Sequence, residues 1–510
     1  MGPRLGAFAR QAGANAMTAA IVSFPRRSVQ ARDLVSTAPP EIDGAREGRD
    51  IAVIGAGLSG VLVALHLLWR CGRDDRIYLV ERGKRFGQGL AYATGNPRHL
   101  LNIRIENMSA FADEPAHFVR WLRTLPEAER RAAGERTWSG IFVRRQLYGA
   151  YIQHLLEDAM TRLGCARNLY LVTDEAVGVR REGERLVVGT ACGRSYALDA
   201  VVLALGNFPP DRVQSPDYFG DPWHPGAVRE LAPERPVLLL GTGLTMVDVC
   251  LSLMGEGFEG PICAISRRGL LPEHHGASRA WPGLRLDAED RRSLSALCRA
   301  VRREVRRAGA EGVGWRSVVD ALRPHTQLLW QELSPADKRR FLRHLRPWWE
   351  SHRHRVAPPV RAAIETARAR GRLHVLRGRI EGIEAVADGL DVTWRPRGAL
   401  AGEKLEVQRI INCTGPGTDY EKLDDPLIVQ LLASGLARPD PYRLGLHATS
   451  RGTLIGADGR VSSRLFGVGP VVRGALWEST SVPDIRSQAE EVAIAALAVA
   501  SRSRCAATRG

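Results

Sequence analysis

Apolar positions along this chain recur in one arrangement. A run of β-type residues ends at a glycine pair and passes directly into helical spacing, first in "IAVIGAGLSGVLVALHLL" (51–68) and again in "PVLLLGTGLTMVDVCLSL" (236–253). Each stretch predicts a strand, a tight loop and a helix. Further buried strands are expected at "RIYLVE" (76–81), "AVVLALG" (200–206), "PICAIS" (261–266) and "RIINCTG" (409–415), with short strands near "LHVLRG", "IEAV" and "LDVTW". Strands alternating with helices predict an α/β fold built on parallel sheets. The charged, helically spaced stretch from about 284 to 358 reads as an insertion.

The first loop contains Gly55, Gly57 and Gly60. In a strand–loop–helix that binds a dinucleotide, the first glycine makes the turn, the second admits the pyrophosphate, and the third lets helix and strand pack closely. Glu81 and Arg82 follow at the end of the next strand, where an acidic side chain bonds the adenosine ribose. The second loop has Gly241 and Gly243, with Met246 in the place of the third glycine. Its next strand ends in Ser266, Arg267 and Arg268, a change suited to a 2′-phosphate. The alternative for the arginines is a solvated loop in an arginine-rich chain. Two such loops imply FAD on the first and NADPH on the second, the equipment of an oxidoreductase. Gly206 and Gly415, each closing a strand, are expected beside a dinucleotide or in plain turns.

Length and charge refine this picture. With 510 residues, two or three domains are expected. The expected division is a disordered or mis-started leader over 1–48, with Met17 as a later start or a transit peptide as the alternative. An FAD-binding domain then occupies 49–222 and 405–510, with a nested NADPH-binding domain over 223–404. The net charge of +16 comes from arginines spread along the chain, and the densest run, "RAVRREVRRAGAEG", has interleaved acids and no aromatic platform. Nucleic acid is therefore not expected as a partner. The eight cysteines show no C-x-x-C spacing, so no metal site, cluster or redox dithiol is expected, and His274 and His275 lack a third ligand. No apolar run has the length of a membrane span, and a cytoplasmic protein acting on a small molecule is the simplest reading.

Several segments carry no periodicity of their own. These are "GLAYATGNPRHLLNIRIENMSAFADEPAHFVRWL", "FVRRQLYGAYI", "WWESHRHRVAP" and "GPVVRGALWESTSVPDIRSQA". With the two loops they resemble the FAD/NAD(P)-binding proteins typified by bacterial FAD-dependent urate hydroxylase and aspartate N-monooxygenase, over most of residues 50 to 490. The resemblance implies two Rossmann-like domains, FAD and NADPH, and hydroxylation of a small nitrogen-containing metabolite through a flavin hydroperoxide. The alternatives are a flavoprotein reductase without oxygen insertion and a non-catalytic nucleotide-binding protein.

The same resemblance puts His99, Asn102 and Met108 beside the flavin, core packing being the alternative. It sets "YFGDPWHP", with Phe219, Gly220 and His224, beside the F-x-G-x-x-x-H fingerprint of flavin monooxygenases at a compressed spacing, against the reading of a proline-rich linker. Gly469 and Pro470 would approach the flavin, ahead of a helix capped by Ser479, Thr480 or Ser481 before Pro483; an ordinary packing helix is the alternative. His352 and Arg355 are expected to bind an acidic substrate or phosphate, or to be a charged helix terminus.

Overall fold

The computed structural model describes residues 48–132, 141–162, 167–211, 213 and 215–507. The expected leader, apart from Gly48, lies outside them. The chain divides into two units. Of the described residues, those up to Thr94, those within Arg104–Gly206 and those from Asp419 onward form the first; those within Gly95–Ile103 and Asn207–Thr418 form the second.

The first unit is built on a six-stranded sheet in the order Thr453–Ile455, Val461–Gly467, Ala200–Leu203, Asp50–Ile54, Arg76–Glu81, Leu169–Thr173. All neighbours are parallel except the first two. The central strands are apolar and buried along their length because a parallel sheet is covered on both faces. Every residue of the helix Leu58–Leu68 is buried. One covering element is the long C-terminal helix Val482–Ala507, which packs against it. The polar start of the central strand is explained by a buried ion pair: Asp50 meets Arg76 at 3.0 Å and Arg185 at 2.7 Å. A three-stranded antiparallel sheet, Ala176–Glu182, Arg185–Thr190 and Ser195–Leu198, completes the unit.

The second unit carries a seven-stranded sheet in the order Glu403–Val407, Gly389–Pro396, Leu373–Val386, Ile262–Ser266, Val237–Leu240, Arg409–Asn412, Tyr218–Phe219. The first three form an antiparallel meander and the rest pair in parallel. The segments expected as two short strands, "LHVLRG" and "IEAV", are one strand of 14 residues with a register shift between Ile380 and Gly382. Arg409–Asn412 pairs with Val237–Leu240, so this unit runs to Thr418, beyond the boundary at 404 drawn from the strand pattern. Burial of Arg409 organises this edge. Its guanidinium donates to the carbonyls of Pro216, Gly226 and Arg229 and lies 5.0 Å from the Phe219 ring centroid.

The insertion is helical, from Ala288–Arg291 through Leu294–Ala310, Trp315–Leu322 and Thr326–Glu332 to Pro335–Arg340 and Arg346–Arg353. In its basic helix, Arg303 pairs with Asp290 at 2.6 Å, and Arg307 pairs at 2.6 Å with the buried Glu304. Part of the arginine run is thus engaged within the fold. Among the described residues no helix is long and apolar enough to cross a membrane.

Two buried histidines give the first unit a pH dependence. His66 packs edge-on to Trp69 at 5.0 Å, and His117 Nδ1 lies 2.7 Å from the Tyr151 hydroxyl. Burial, reinforced by Arg70 and Arg120 respectively, lowers each imidazole to about 3. Both are therefore neutral when folded at pH values where the unfolded chain binds protons. Stability is expected to be full above pH about 6.5 and to fall as the pH drops from there toward 3, by up to about 1.4 kcal/mol per unit for each group. Urea titrations of the holoprotein at pH 7 and 5 measure this slope. His117→Phe should remove its share, and an unchanged slope would contradict the assignment.

Candidate dinucleotide-binding sites

The first loop is shaped by close backbone approach. Gly55 has φ +99°, and a Cβ there would stand 2.4 Å from the Ala204 carbonyl oxygen, on the residue that follows the neighbouring strand. A Cβ on Gly60 would stand 1.8 Å from the Gly55 oxygen, so only glycine brings the helix this near its strand. Gly57 is the N-cap of Leu58–Leu68; no side chain caps it and no acid sits in its first turn. The positive end of the helix is therefore left for an anion. Glu81 Oε2 accepts from Ala56 N at 2.9 Å and Oε1 from Gly83 N at 3.0 Å. These bonds hold the carboxylate against the loop, where a ribose would lie. Arg82, exposed, is 3.8 Å from Glu175 and 3.9 Å from Asp425.

Other chain segments return to this helix terminus. A Cβ on Gly89 would lie 3.1 Å from the Gly57 Cα, and Gly87 N donates to Ala56 O at 2.7 Å. Gly469, at φ +76° and followed by Pro470, sits so close to Ser59 that a Cβ would fall 2.7 Å from its Oγ, and its N–H donates to Gln488 Oε1 at 2.8 Å. The C-terminal helix begins at Val482, so Ser481 is the residue that precedes it, while Ser479 is buried and Thr480 exposed. Among the described residues, buried Gln88 Oε1, Tyr148 Oη, Ser479 Oγ and Gln488 Nε2 have no hydrogen-bond partner. Burial holds the Tyr148 phenol well above its ordinary range, so it stays protonated as a donor. An uncapped helix terminus, a cradle that side chains would fill and unpaired donors and acceptors suit a pyrophosphate carrying a polar ring system. Gln88, Tyr148 and Gln488 escaped the sequence reading because a lone amide or phenol has no pattern.

The second loop repeats the first. Gly241 has φ +105°, and a Cβ would meet the Cys413 carbonyl oxygen at 2.5 Å, again on the residue after the neighbouring strand. Gly243 caps Leu244–Gly255, with no side-chain cap, no first-turn acid and open space where its Cβ would be. The Thr242 hydroxyl donates to Leu270 O at 2.6 Å and lies 2.9 Å from Ser266 Oγ, which accepts from Gly269 N. Met246 is fully buried. Arg267 is exposed, whereas Arg268 donates to His344 O at 3.1 Å. Gly206 and Gly415, at φ +69° and +100°, both face open space.

The remaining candidates have partners within the fold. His99 belongs to the second unit, its Nε2 3.0 Å from Asp248 O and from Ser252 Oγ on the helix Leu244–Gly255. The Asn102 carbonyl accepts from His275 at 2.9 Å, and Met108 is buried core of the first unit. His224 is exposed and caps the turn Pro225–Val228, accepting from Gly226 N at 3.1 Å, while Phe219 is in the edge strand. His352 Nδ1 is 2.8 Å from Trp348 O, and Arg355, 2% exposed, is ion-paired with Asp320. The structure thus joins Gly55, Gly57, Gly60, Glu81, Gly469 and Ser479 in one unit, and Gly241, Gly243, Arg267 and Arg268 in the other.

A family model described as FAD-NAD(P)-binding matches residues 52–208. This segment is an FAD-NAD(P)-binding domain. No curated protein sequence matches the chain. Solved structures share its fold. The reduced form of ornithine hydroxylase from Pseudomonas aeruginosa superposes with a TM-score of 0.59 at 14% identity, over 88% of this chain and 99% of that one. L-lysine 6-monooxygenase from Pseudomonas syringae gives 0.58 at 17%, over 88% and 99%. An ornithine N-hydroxylase from Kutzneria sp. 744, solved with reduced FAD, NADP+ and L-ornithine, gives 0.58 at 16%, over 90% and 100%.

The close contact at Gly60 generates a direct test of the FAD-NAD(P)-binding domain. Gly60→Ala is expected to push the helix terminus off the strand and to strip bound flavin, costing about 2–4 kcal/mol of stability as well. Visible absorbance after gel filtration and thermal melts measure both. Retention of full flavin occupancy would contradict the packing constraint.

Proposed function

We propose that the chain is an FAD-dependent, NADPH-consuming monooxygenase that hydroxylates a small nitrogen-containing metabolite. The observation that carries this reading is the duplicated glycine loop with opposite chemistry beside each copy. FAD is assigned to the first loop, its pyrophosphate at the Gly57 helix terminus and its ribose at Glu81. NADPH is assigned to the second, where neutral Ser266 replaces the acid and exposed Arg267 offers a free guanidinium to the 2′-phosphate. When bound, the flavin supplies hydride acceptance and oxygen activation.

The protein's own residues hold, orient and shield. Gln88, Tyr148, Ser479 and Gln488 offer the unpaired polar atoms that would fix the ring system in the first unit. The structural neighbours ornithine hydroxylase and L-lysine 6-monooxygenase support an amine or other nucleophilic nitrogen as the oxygen acceptor. Dithiol chemistry is disfavoured by the cysteines: Cys250 and Cys413 are buried, free and pushed up by desolvation, Cys250 to about 12, so neither forms a thiolate readily.

Anaerobic reduction of the holoprotein by NADPH and by NADH, followed by oxygen with ornithine, lysine, cadaverine and purines in turn, tests the proposal. NADPH should reduce the flavin faster than NADH, and one nitrogen compound should draw oxygen into product and lower peroxide release. Release of all oxygen as peroxide with every compound would instead make the protein a reductase, and no reduction by either nucleotide would remove NADPH from the second loop. Arg267→Ala should weaken NADPH binding about tenfold with NADH unaffected, since it removes one charge-assisted phosphate contact.

A further inference from the structure

The cluster at the end of the helical insertion has an order that catalysis does not explain. Arg355, buried and paired with Asp320, lies 5.9 Å from the Trp315 ring centroid. Trp315 meets the His352 ring edge-on at 4.8 Å, and His352 is 6.5 Å from Trp348. The Arg268 guanidinium then lies over Trp348 at 5.9 Å. Two arginines thus bracket a row of three rings that runs from the interior of the insertion out to the arginine pair following the strand Ile262–Ser266. Trp348 is 44% exposed, so one part of the indole is open to solvent.

Arg268 is itself fixed. It donates to the His344 carbonyl, which lies in a π-helical turn, Phe341–Leu345. Such turns widen the helix and free carbonyls from its internal ladder, and they concentrate at functional positions. Arg267, one residue away, is exposed and, among the described residues, makes no hydrogen bond or ion pair. A fixed guanidinium on an exposed indole, beside a free guanidinium, is the chemistry that takes a purine ring carrying a phosphate: the ring stacks and the phosphate pairs.

We propose that Trp348, held by His352 and faced by Arg268, is the stacking platform for the adenine of a 2′-phosphorylated adenosine, and that the helical insertion is therefore part of the nucleotide site. This inference rests on the assignment of NADPH to the second loop, because that loop puts the adenosine ribose at the end of the strand that Arg267 and Arg268 follow. Arg267 is left for the phosphate. His352 and Arg355, expected from sequence to bind a substrate, act instead as supports for the indole.

Calorimetric titration of the flavin-loaded protein with adenosine 2′,5′-bisphosphate and with 5′-AMP separates the two ideas without measuring turnover. Trp348→Ala should weaken both ligands by a common factor of about tenfold, the loss expected for one base stacked on an aromatic ring. Trp348→Phe should restore most of it, whereas Trp348→Leu, which keeps apolar bulk without a π face, should behave like alanine and guards against a folding defect. Arg267→Ala should weaken the bisphosphate alone. Unchanged affinities in both Trp348→Ala and Trp348→Leu would overturn the platform while leaving the cofactor assignment intact. Failure of the parent protein to bind the bisphosphate would overturn that assignment, and the platform with it.

Discussion

The structure depends on one steric constraint used twice: a glycine with positive φ pressed against the carbonyl of the residue that follows the adjacent strand. At Gly55 the carbonyl belongs to Ala204 and at Gly241 to Cys413, with nearly the same spacing, 2.4 and 2.5 Å to an ideal Cβ. No other residue type turns the chain there without forcing two strands apart. The turn delivers a helix whose first N–H groups find no side-chain cap, because the N-cap is again glycine. Two residues beyond each carbonyl stands another glycine, Gly206 or Gly415, also at positive φ and facing open space. The same strand order surrounds both turns, so each unit contains the same device: a sheet that ends where an uncapped helix begins.

What distinguishes the copies is how the next strand reaches back to the loop. In the first, Glu81 accepts the amide of Ala56, the residue between the two glycines; in the second, Ser266 bonds the hydroxyl of Thr242, the residue in the equivalent place. Both contacts stiffen the loop, but only one leaves a negative charge beside it. A carboxylate suits ribose hydroxyls and repels a phosphate, whereas a neutral hydroxyl followed by Arg267 tolerates one. The third position differs as well. Gly60 lets its helix touch the Gly55 carbonyl, while Met246 fills the same place with a buried side chain. Duplicated architecture and divergent chemistry together give the case for two different nucleotides.

Much of this was legible from local pattern, and the rest was not for identifiable reasons. Both glycine loops, Glu81 and the Ser-Arg-Arg strand end were readable because turn geometry and strand ends are decided within a few residues. The strand Arg409–Asn412 was readable as a strand but not as a member of the second sheet, since its partner Val237–Leu240 lies far away in sequence. The stretch "YFGDPWHP" carried two readings. The structure makes it an edge strand and a capped turn, held by an arginine nearly two hundred residues later. The resemblance put His99 beside the flavin, and the bonds it makes run to Asp248 and Ser252 of the second unit. Charged and aromatic residues attract functional readings because their type is visible, whereas their partners are not.

Four of the buried polar groups that remain unpaired are of another kind. Leaving a buried donor or acceptor unsatisfied costs about 1–3 kcal/mol each, so a fold does not collect them without return. Here Gln88, Tyr148, Ser479 and Gln488 all belong to the unit that carries Gly55, and Gln488 spends its other amide atom on Gly469, the glycine that touches Ser59 of the first loop's helix. None of them is charged, and Tyr148 is held protonated by burial. Neutral donors and acceptors of this sort move no protons at ordinary pH, but they can hold a polar heterocycle in one orientation and recover their cost when it binds. A site in which the protein positions and the cofactor reacts needs side chains of that type, and the conspicuous histidines and arginines are free to build the frame.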